Sequence, residues 1–374
     1  TPAGPSCDDF LTGSRAAIAG GTTFCFDFVT PLRGQLLKDA LTNRQREAQK
    51  SLTECRLHMG ITWFDHTIPR QMHWCVKEAG IHSFKVYLAY KGSIGIEYSE
   101  LEEVMKTAAS LGAVVMVHCE EGDTILKTQK ALLAQGKTAP RFHAVSRPNE
   151  TESDSVKKVI DLCRETGCQT YIVHTSTAQS INYIRQAKSE GLPVFCETCP
   201  QYLLLDESVY EKPSAEVLKY VISPPIRSIQ DQTALWTALQ DGTVDVISTD
   251  HCPFNTFGQK DTGLHDFTKI PNGAGGVEFR LALLYTYGVM KQRINLQQFI
   301  SLTSTNAAKI FGLFPHKGQI SEGAEADLII WNPEKKTTVS VNSQLQNCDS
   351  NIYEGMELQG HADMVFIKER FEIL

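Results

Sequence analysis

Three residues of types that bind metals stand at the ends of apolar, strand-like stretches of this sequence. His118 ends "AVVMVH", His174 ends "QTYIVH" and Asp250 ends "VDVISTD". One histidine in such a place is more often a hydrogen-bonded structural residue than a ligand, and a lone aspartate is more often a cap. Three of them on three strands are harder to dismiss. Imidazole and carboxylate groups suit a zinc-type ion, which activates water and polarises carbonyls, so the pattern predicts metal-assisted hydrolysis.

A lysine in another strand-like stretch raises a second question. Lys85 lies in the middle of "SFKVYLAYKG", which otherwise resembles a buried strand. Burying an unpaired ammonium is strongly unfavourable, so Lys85 either reaches solvent, pairs with a carboxylate or has a chemical role. Tyr90 follows five residues later, and Ser223 lies in "YVISPP". Tyr90 and Ser223 lie at or near strand ends. Together with Lys85 they are candidates for the same site.

The elements that position these residues alternate between strands and helices. Two predicted helices end at Gly112 and Gly167, and a third is followed by Gly191. This alternation predicts βαβ units and a parallel sheet buried on both faces, with the carboxyl ends of the strands meeting at one site. The predicted strands cover residues 22–29, 55–61, 83–89, 113–118, 169–174, 193–198 and 244–249.

The strand count is seven, and the sequence starts with a helical pattern, "CDDFLTGSRAAIAGG". For an eight-stranded barrel the first strand would therefore lie just before residue 1. After about residue 312 the pattern becomes turn-rich, with the short strand "DLIIW" and one further possible strand, "MVFIKERFEIL". We therefore expect a barrel domain over 1–312 and a small β unit over 313–374.

Composition restricts the possible partners. The net charge is -7, and the sequence has no basic run that would bind nucleic acid and no apolar run long enough to span a membrane. Its first residues lack the pattern of a signal peptide.

The 11 cysteines have no framework spacing, which favours reduced thiols and a cytoplasmic location. Cys196 and Cys199 form a CxxC without a second pair, so a cysteine zinc site is an alternative of low prior.

Motifs along nearly the whole chain resemble the dihydropyrimidinases, D-hydantoinases and phenylhydantoinases of the amidohydrolase superfamily. This resemblance implies a TIM-like (β/α)8 metal-dependent hydrolase barrel with a small partial β-sandwich, and a homotetramer. The motifs that carry it are "DDFLTGSRAAIAGGTT", "SFKVYLAYKG", "GAVVMVHCEEGD", "RFHAVSRPNE", "YIVHTS", "ETCPQYLLLDE", "SPPIR", "ISTDHCPFN", "DFTKIPNGAGGVEFR" and "TSTNAAKIFGL" with "KGQISEGAEADLIIWNP".

The resemblance also implies a metal centre. Lys85 matches the family lysine that reacts with carbon dioxide and then bridges two divalent metal ions, usually zinc. His118 and His174 match the ligands of the more exposed metal. Asp250 matches the aspartate that binds the other metal, takes a proton from the bridging hydroxide and delivers it to the leaving nitrogen.

Three further residues match substrate-binding positions. Tyr90 matches the tyrosine that stabilises the developing oxyanion. Ser223 and Asn272 match positions that hold the amide of the ring. Both also have a structural explanation, since Ser223 precedes two prolines and Asn272 lies in a "PNG" turn. We expect a structural hydrogen bond for His251, a supporting role for Glu120, buried wall positions for Cys119 and Cys252, and no catalytic role for His58, His66, His73 and His82.

One family motif is missing from this sequence. The first strand of the family ends in His-x-His, which binds the buried metal, and none of the 11 histidines here forms such a pair. We expect the motif to lie a few residues before Thr1, in agreement with the count of seven strands. A fragment, a sequence lacking its upstream part, or a natural or engineered truncation would explain this. Retention of the other ligands favours the first two, and residues 1–374 should hold at most one metal.

The implied activity is hydrolysis of the cyclic amide in hydantoins or 5,6-dihydrouracil to N-carbamoyl amino acids. Allantoin is an alternative substrate within the same chemistry. A different alternative is a catalytically inactive scaffold protein with this fold. Such relatives typically lack the strand lysine and the histidines, so Lys85, His118 and His174 argue for an enzyme.

Overall fold

Seven parallel strands in chain order form the main sheet of the computed structural model, which describes residues 4–368 and 370–373. Each strand overlaps one of the predicted stretches, and the α/β barrel architecture is confirmed. Their bounds are β1 (Phe24–Val29), β2 (Glu54–Gly60), β3 (Ser83–Tyr87), β4 (Val114–His118), β5 (Gln169–Ile172), β6 (Val194–Thr198) and β7 (Val246–Ile247).

Helices connect successive strands and cover the outside of the sheet. Gly112 and Gly167 end two of them with φ of 66° and 67°, a left-handed conformation that glycine adopts at low cost. The helices are α1 (Phe10–Ala19), α2 (Leu37–Ala48), α3 (Ile68–Lys77), α4 (Tyr98–Leu111), α5 (Gly122–Ala134), α6 (Phe142–Val145), α7 (Asn149–Thr166), α8 (Ala178–Ser189), α9 (Pro200–Leu204), α10 (Ser214–Val217), α11 (Ile229–Gln240), α12 (Arg280–Leu284), α13 (Leu296–Ile300) and α14 (Asn306–Ile310).

Apolar and aromatic side chains pack against each other in the interior of the sheet. Met116 and Tyr171 belong to a buried cluster there. Phe311, just after α14, places its ring 5.0 Å from that of Phe26 and 5.3 Å from that of Tyr171. These packed side chains also line part of the cavity that contains the predicted site residues.

The two outer strands of the sheet come together through a side chain. Among the described residues, β1 pairs only with β2, and β7 pairs only with β6. Arg280, the first residue of α12, donates to the Ile247 carbonyl at 2.9 Å and to Thr22 Oγ1 at 3.3 Å. One guanidinium thus links β7 to the segment that leads into β1.

A small antiparallel sheet follows the barrel. It contains β8 (Asp327–Thr338), β9 (Glu357–Ile367) and β10 (Arg370–Ile373) in the order β10-β9-β8. The prediction of one strand at "MVFIKERFEIL" was wrong, because Met364–Ile367 ends β9 and Arg370–Ile373 pairs back onto it. The division of the chain at residue 312 stays a prediction. Within the described residues no helix is both long and apolar enough to cross a membrane.

Candidate active site

The residues predicted for the site come together at the carboxyl ends of the strands. They line part of an open cavity of about 2470 Å³, which also extends along the open side of the main sheet to the small sheet. Parallel strands place their carboxyl ends at one edge, so residues far apart in the chain meet there. The cavity is lined by all seven predicted site residues: Lys85, Tyr90, His118, His174, Ser223, Asp250 and Asn272.

Backbone strain concentrates at three of these residues. Tyr90, His174 and Asp250 have φ of 57°, 40° and 49°, a left-handed region that non-glycine residues rarely adopt. Only two other non-glycine residues in the described chain have positive φ, Gln292 and Lys368. Strained backbone of this kind persists where the surroundings enforce it, and it clusters at functional sites. This observation does not depend on any sequence motif.

Lys85 lies on β3 between aromatic rings. Its side chain is buried, and its Nζ lies 5.1 Å from the ring centre of Tyr87 and 5.5 Å from that of Phe28. Burial lowers the pKa of Lys85 to about 8, although the negative charges of Asp250 and Glu197 oppose this change. Near neutral pH a substantial fraction of the amine is therefore unprotonated and nucleophilic.

A chain of polar contacts connects His118 to its neighbours. His118 Nδ1 lies 2.9 Å from His174 Nε2, and His118 Nε2 lies 2.7 Å from Glu120 Oε2. Arg147 donates to the same Glu120 oxygen at 2.5 Å. Burial opposes the ionisation of Glu120, but Arg147 and His118 outweigh it and lower the pKa of this carboxyl to about 2. Glu120 is thus an anion that accepts hydrogen bonds, as its predicted supporting role requires.

These contacts determine where the imidazole protons lie. Burial lowers the pKa of both His118 and His174, so the rings are neutral. Because the Glu120 anion accepts from Nε2 of His118, the Nδ1 of that ring accepts from Nε2 of His174. His174 Nδ1 then carries a lone pair, and this buried atom has no hydrogen-bond partner in the structure. A neutral imidazole nitrogen in this condition is a suitable metal ligand.

Asp250 lies deep between the strand ends but faces the cavity. The residue as a whole is exposed to the cavity that it lines. Burial raises the pKa of Asp250, whereas the positive charge of Lys85 opposes that rise. A carboxyl group with a raised pKa is a better proton acceptor than an ordinary aspartate.

Tyr90 lies next to His118 on one side and next to the predicted substrate-binding residues Ser223 and Asn272 on the other. Its ring is 5.3 Å from that of His118, and the Arg147 guanidinium lies 5.5 Å from its centre. Burial raises the pKa of Tyr90, and hydrogen bonding with Ser223 and Asn272 opposes this rise, as does Arg147. The hydroxyl therefore keeps its proton and can donate it to an oxygen bound in the cavity.

Two loops hold Ser223 and Asn272 in place. The Val221 carbonyl accepts from the Gly273 amide at 3.1 Å and from Lys260 Nζ at 2.9 Å. This one oxygen ties the segment before Ser223 to the segment after Asn272. Lys260 is buried, so its contact with Val221 is shielded from water.

His251 has the structural role that we expected. Its Nε2 lies 2.9 Å from Asp8 Oδ2, and its Nδ1 accepts from the Gly276 amide at 3.1 Å. Both ring nitrogens are thus occupied by the surrounding fold. Cys196 and Cys199 are buried free thiols, and their exclusion as ligands stays a prediction.

Sequence reasoning missed Glu197, Arg147 and Lys260. Glu197 lies between the two cysteines of "CETC", accepts from the His174 amide at 3.1 Å and accepts from the Tyr171 hydroxyl at 2.7 Å. A carboxylate within a buried strand is the same signal that drew attention to Lys85, and it could have been recognised. Arg147 and Lys260 lie outside strands, where no local pattern marks them.

The donor set fits a zinc-type ion if Lys85 contributes. The orphaned His174 Nδ1 and the cavity-lining Asp250 are suitable ligands, and His118 becomes one when its Nδ1 gives up the contact with His174. Within the described part of the chain, however, no group of three or more His, Cys, Asp or Glu side chains is arranged to hold an ion. A metal here would therefore need a further ligand, such as the carboxylated form of Lys85.

Comparisons with known proteins show which family and which solved structures this chain resembles. The Amidohydrolase family model matches residues 7–373. The chain is 41% identical over 367 residues to D-hydantoinase of Geobacillus stearothermophilus, covering 98% of this chain and 78% of that protein. It is 39% identical over 360 residues to dihydropyrimidinase of Arabidopsis thaliana, covering 96% and 67%. The solved structure of D-hydantoinase from Bacillus sp. AR9 matches with a TM-score of 0.97 at 41% identity, covering 99% of this chain and 82% of that one.

Proposed function

The chain belongs to the amidohydrolase family, and from this premise we propose that it opens the cyclic amide ring of hydantoins or 5,6-dihydrouracil. Water adds to the ring carbonyl, the carbon–nitrogen bond breaks, and an N-carbamoyl amino acid leaves. The similarity to a D-hydantoinase and a dihydropyrimidinase favours this reaction over allantoin hydrolysis and over a scaffold role.

The convergence of Lys85, His118, His174 and Asp250 on one cavity is the observation that carries the proposal. The family is generally metal-dependent. We propose that Lys85 is carboxylated and that these four residues hold divalent metal, most suitably zinc; the full family centre has two such ions. When bound, the metal would lower the pKa of a water molecule and polarise the substrate carbonyl.

The side chains around the cavity have separate proposed roles in proton transfer, oxyanion stabilisation and substrate binding. Asp250, with its raised pKa and open face, takes the proton of the attacking water and gives it to the leaving nitrogen. Tyr90 donates its hydroxyl proton in a hydrogen bond to the oxyanion that develops on the carbonyl. Ser223 and Asn272, which lie beside Tyr90, bind the amide of the ring and orient it.

A substrate comparison tests the proposed reaction. The protein is incubated with zinc and bicarbonate and then with hydantoin, 5,6-dihydrouracil or allantoin, and ring-opened products are identified by mass spectrometry. Opening of the first two is the expected result. Opening of allantoin alone would support the alternative substrate. A chain that binds zinc but opens none of the three rings would contradict the proposal and support the scaffold role.

The cellular setting and assembly also belong to the proposal. All 11 cysteines are free thiols, which supports a reducing compartment such as the cytoplasm. The family resemblance supports a homotetramer, which mass measurement in solution would test. We expect the partners to be small cyclic amides rather than nucleic acid or membranes.

A further inference from the structure

Two partly exposed thiols are far apart in the sequence but lie close together in the fold. Cys7 precedes α1, whereas Cys348 lies between β8 and β9. The two side chains are close enough for each thiol to shift the pKa of the other. They also reach consecutive carbonyls of one loop: Cys7 Sγ lies 3.2 Å from the Pro253 oxygen, and Cys348 Sγ lies 3.4 Å from the Phe254 oxygen.

Backbone and side-chain contacts hold the two segments side by side. The Asn347 amide donates to Asp8 Oδ1 at 2.8 Å, and Asn347 Nδ2 donates to the Cys7 carbonyl at 2.8 Å. The Cys7 amide donates to the Pro253 carbonyl at 2.9 Å. The residues next to the two cysteines are thus joined, which keeps Cys7 and Cys348 in neighbouring positions in the folded protein.

The next residue anchors Cys348 from its other side. Asp349 accepts from the amides of Thr256 at 2.6 Å and Phe257 at 2.8 Å, and its own amide donates to Asn255 at 3.0 Å. The segment that carries Cys348 is therefore bound to the loop that follows Asp250. A covalent link between Cys348 and Cys7 would therefore join the segment before α1 to a segment that is hydrogen-bonded to this loop.

We propose that Cys7 and Cys348 form an intramolecular disulfide when the folded protein meets a low-molecular-weight disulfide. The Cys348 thiolate attacks the small disulfide, forms a mixed disulfide and releases one small thiol. The Cys7 thiolate then attacks the Cys348 sulfur and releases the second small thiol. The two protein thiols are oxidised, and one small disulfide is reduced to two thiols.

The electrostatics support this order of attack. The hydrogen bond from Cys7 lowers the pKa of Cys348 to about 6, against the effect of burial, and Ser350 contributes in the same direction. The same contact raises the pKa of Cys7. Cys348 is therefore the more acidic of the two thiols, and Cys7 ionises more readily once Cys348 has reacted.

Another cysteine pair in the chain provides a matched control. Cys25 on β1 lies opposite Cys55 on β2 in the parallel sheet, and both are partly exposed. Burial raises the pKa of both thiols, so neither is an effective nucleophile at neutral pH. Proximity alone would favour oxidation of both pairs, whereas our proposal expects only the Cys7–Cys348 pair to react.

Oxidation of the native protein tests the proposal. The protein is treated with oxidised glutathione at neutral pH, alkylated, digested without reduction and mapped by mass spectrometry. We expect a peptide pair linked through Cys7 and Cys348, lighter by two hydrogen atoms, and a melting temperature higher than that of the reduced protein. In Cys7→Ser we expect a glutathione adduct that remains on Cys348. In the double variant Cys25→Ser, Cys55→Ser we expect the link to form as in the wild type.

Three results would overturn the proposal. The first is a wild-type protein that carries glutathione on Cys348 without any link to Cys7. The second is a Cys25–Cys55 link that forms as fast as the expected one. The third is a Cys7–Cys348 pair that remains unmodified while oxidised glutathione reacts with other cysteines of the protein. None of these readouts uses catalysis, so they separate this proposal from the proposed function.

Discussion

His118 and His174 face each other across neighbouring strand ends, with Nδ1 of the first 2.9 Å from Nε2 of the second. A contact of this length is a hydrogen bond that contains one proton, so only one of the two nitrogens can offer a lone pair. Glu120 and Arg147 extend the contact into a buried chain, because Glu120 accepts from both His118 and Arg147. This arrangement limits which nitrogens are free to bind a metal.

The number of metal ions bound per chain should be low, because few imidazole nitrogens are free to bind one. We expect residues 1–374 to bind at most one zinc ion tightly, and chelation to abolish activity that added zinc restores. Replacing His174 by Asn should lower the zinc content, because it removes the orphaned Nδ1 atom. Metal analysis of dialysed protein measures this. Two tightly bound zinc ions per chain would contradict it.

Lys85→Ala should abolish ring opening. The change removes the buried amine whose lowered pKa makes reaction with carbon dioxide feasible. It should also reduce zinc binding, which a metal assay measures independently of activity. The control is Lys106→Ala, which removes an exposed lysine on α4 that pairs with Glu102 and Glu103. Full activity in Lys85→Ala would refute the proposed role of this lysine.

Tyr90→Phe should lower kcat more than it raises KM. The hydroxyl is proposed to donate to an oxygen that gains charge in the transition state, and loss of one such donor typically costs about 10²–10³ in kcat. Steady-state kinetics on hydantoin measures the separation of the two parameters. Tyr183→Phe on α8 is the control, since this tyrosine lies outside the cavity lining. A change in KM alone would assign Tyr90 to substrate binding.

Lys260→Met should change the dependence of stability on pH. Burial lowers the pKa of Lys260 from 10.5 to about 7. Between these values the unfolded chain binds the proton and the folded chain does not, so this lysine makes the free energy of unfolding rise as pH increases. Below pH 7 both states are protonated and the cost of burying the charge is at its full value.

Denaturant unfolding at several pH values measures this effect. Relative to the wild type, Lys260→Met should be favoured most below pH 7, and its advantage should decrease as pH approaches 10.5. The slope of the difference is at most about 1.4 kcal/mol per pH unit. Lys269→Met, at an exposed lysine, should show no such slope. Parallel stability curves for Lys260→Met and the wild type would contradict the prediction.

Local patterns in the sequence predicted much of the fold. The alternation of apolar stretches with helical patterns predicted the seven parallel strands, because a strand buried on both faces must be apolar whatever its neighbours are. The same rule made Lys85 conspicuous, as one charged residue in such a strand. Glycines at positions 112 and 167 marked helix ends because only glycine enters the left-handed region at low cost.

Contacts between distant segments were decided by the tertiary structure alone. The strand-end positions of His118 and His174 follow from the sequence, but their contact depends on the curvature of the sheet and the packing of the helices around it. Arg147, Lys260 and the Cys7–Cys348 pair lie in helices, turns or loops, where composition carries no information about the partner. Sequence patterns record which side of an element is buried. Which side chains meet there is a property of the assembled chain, because each partner comes from a different part of it.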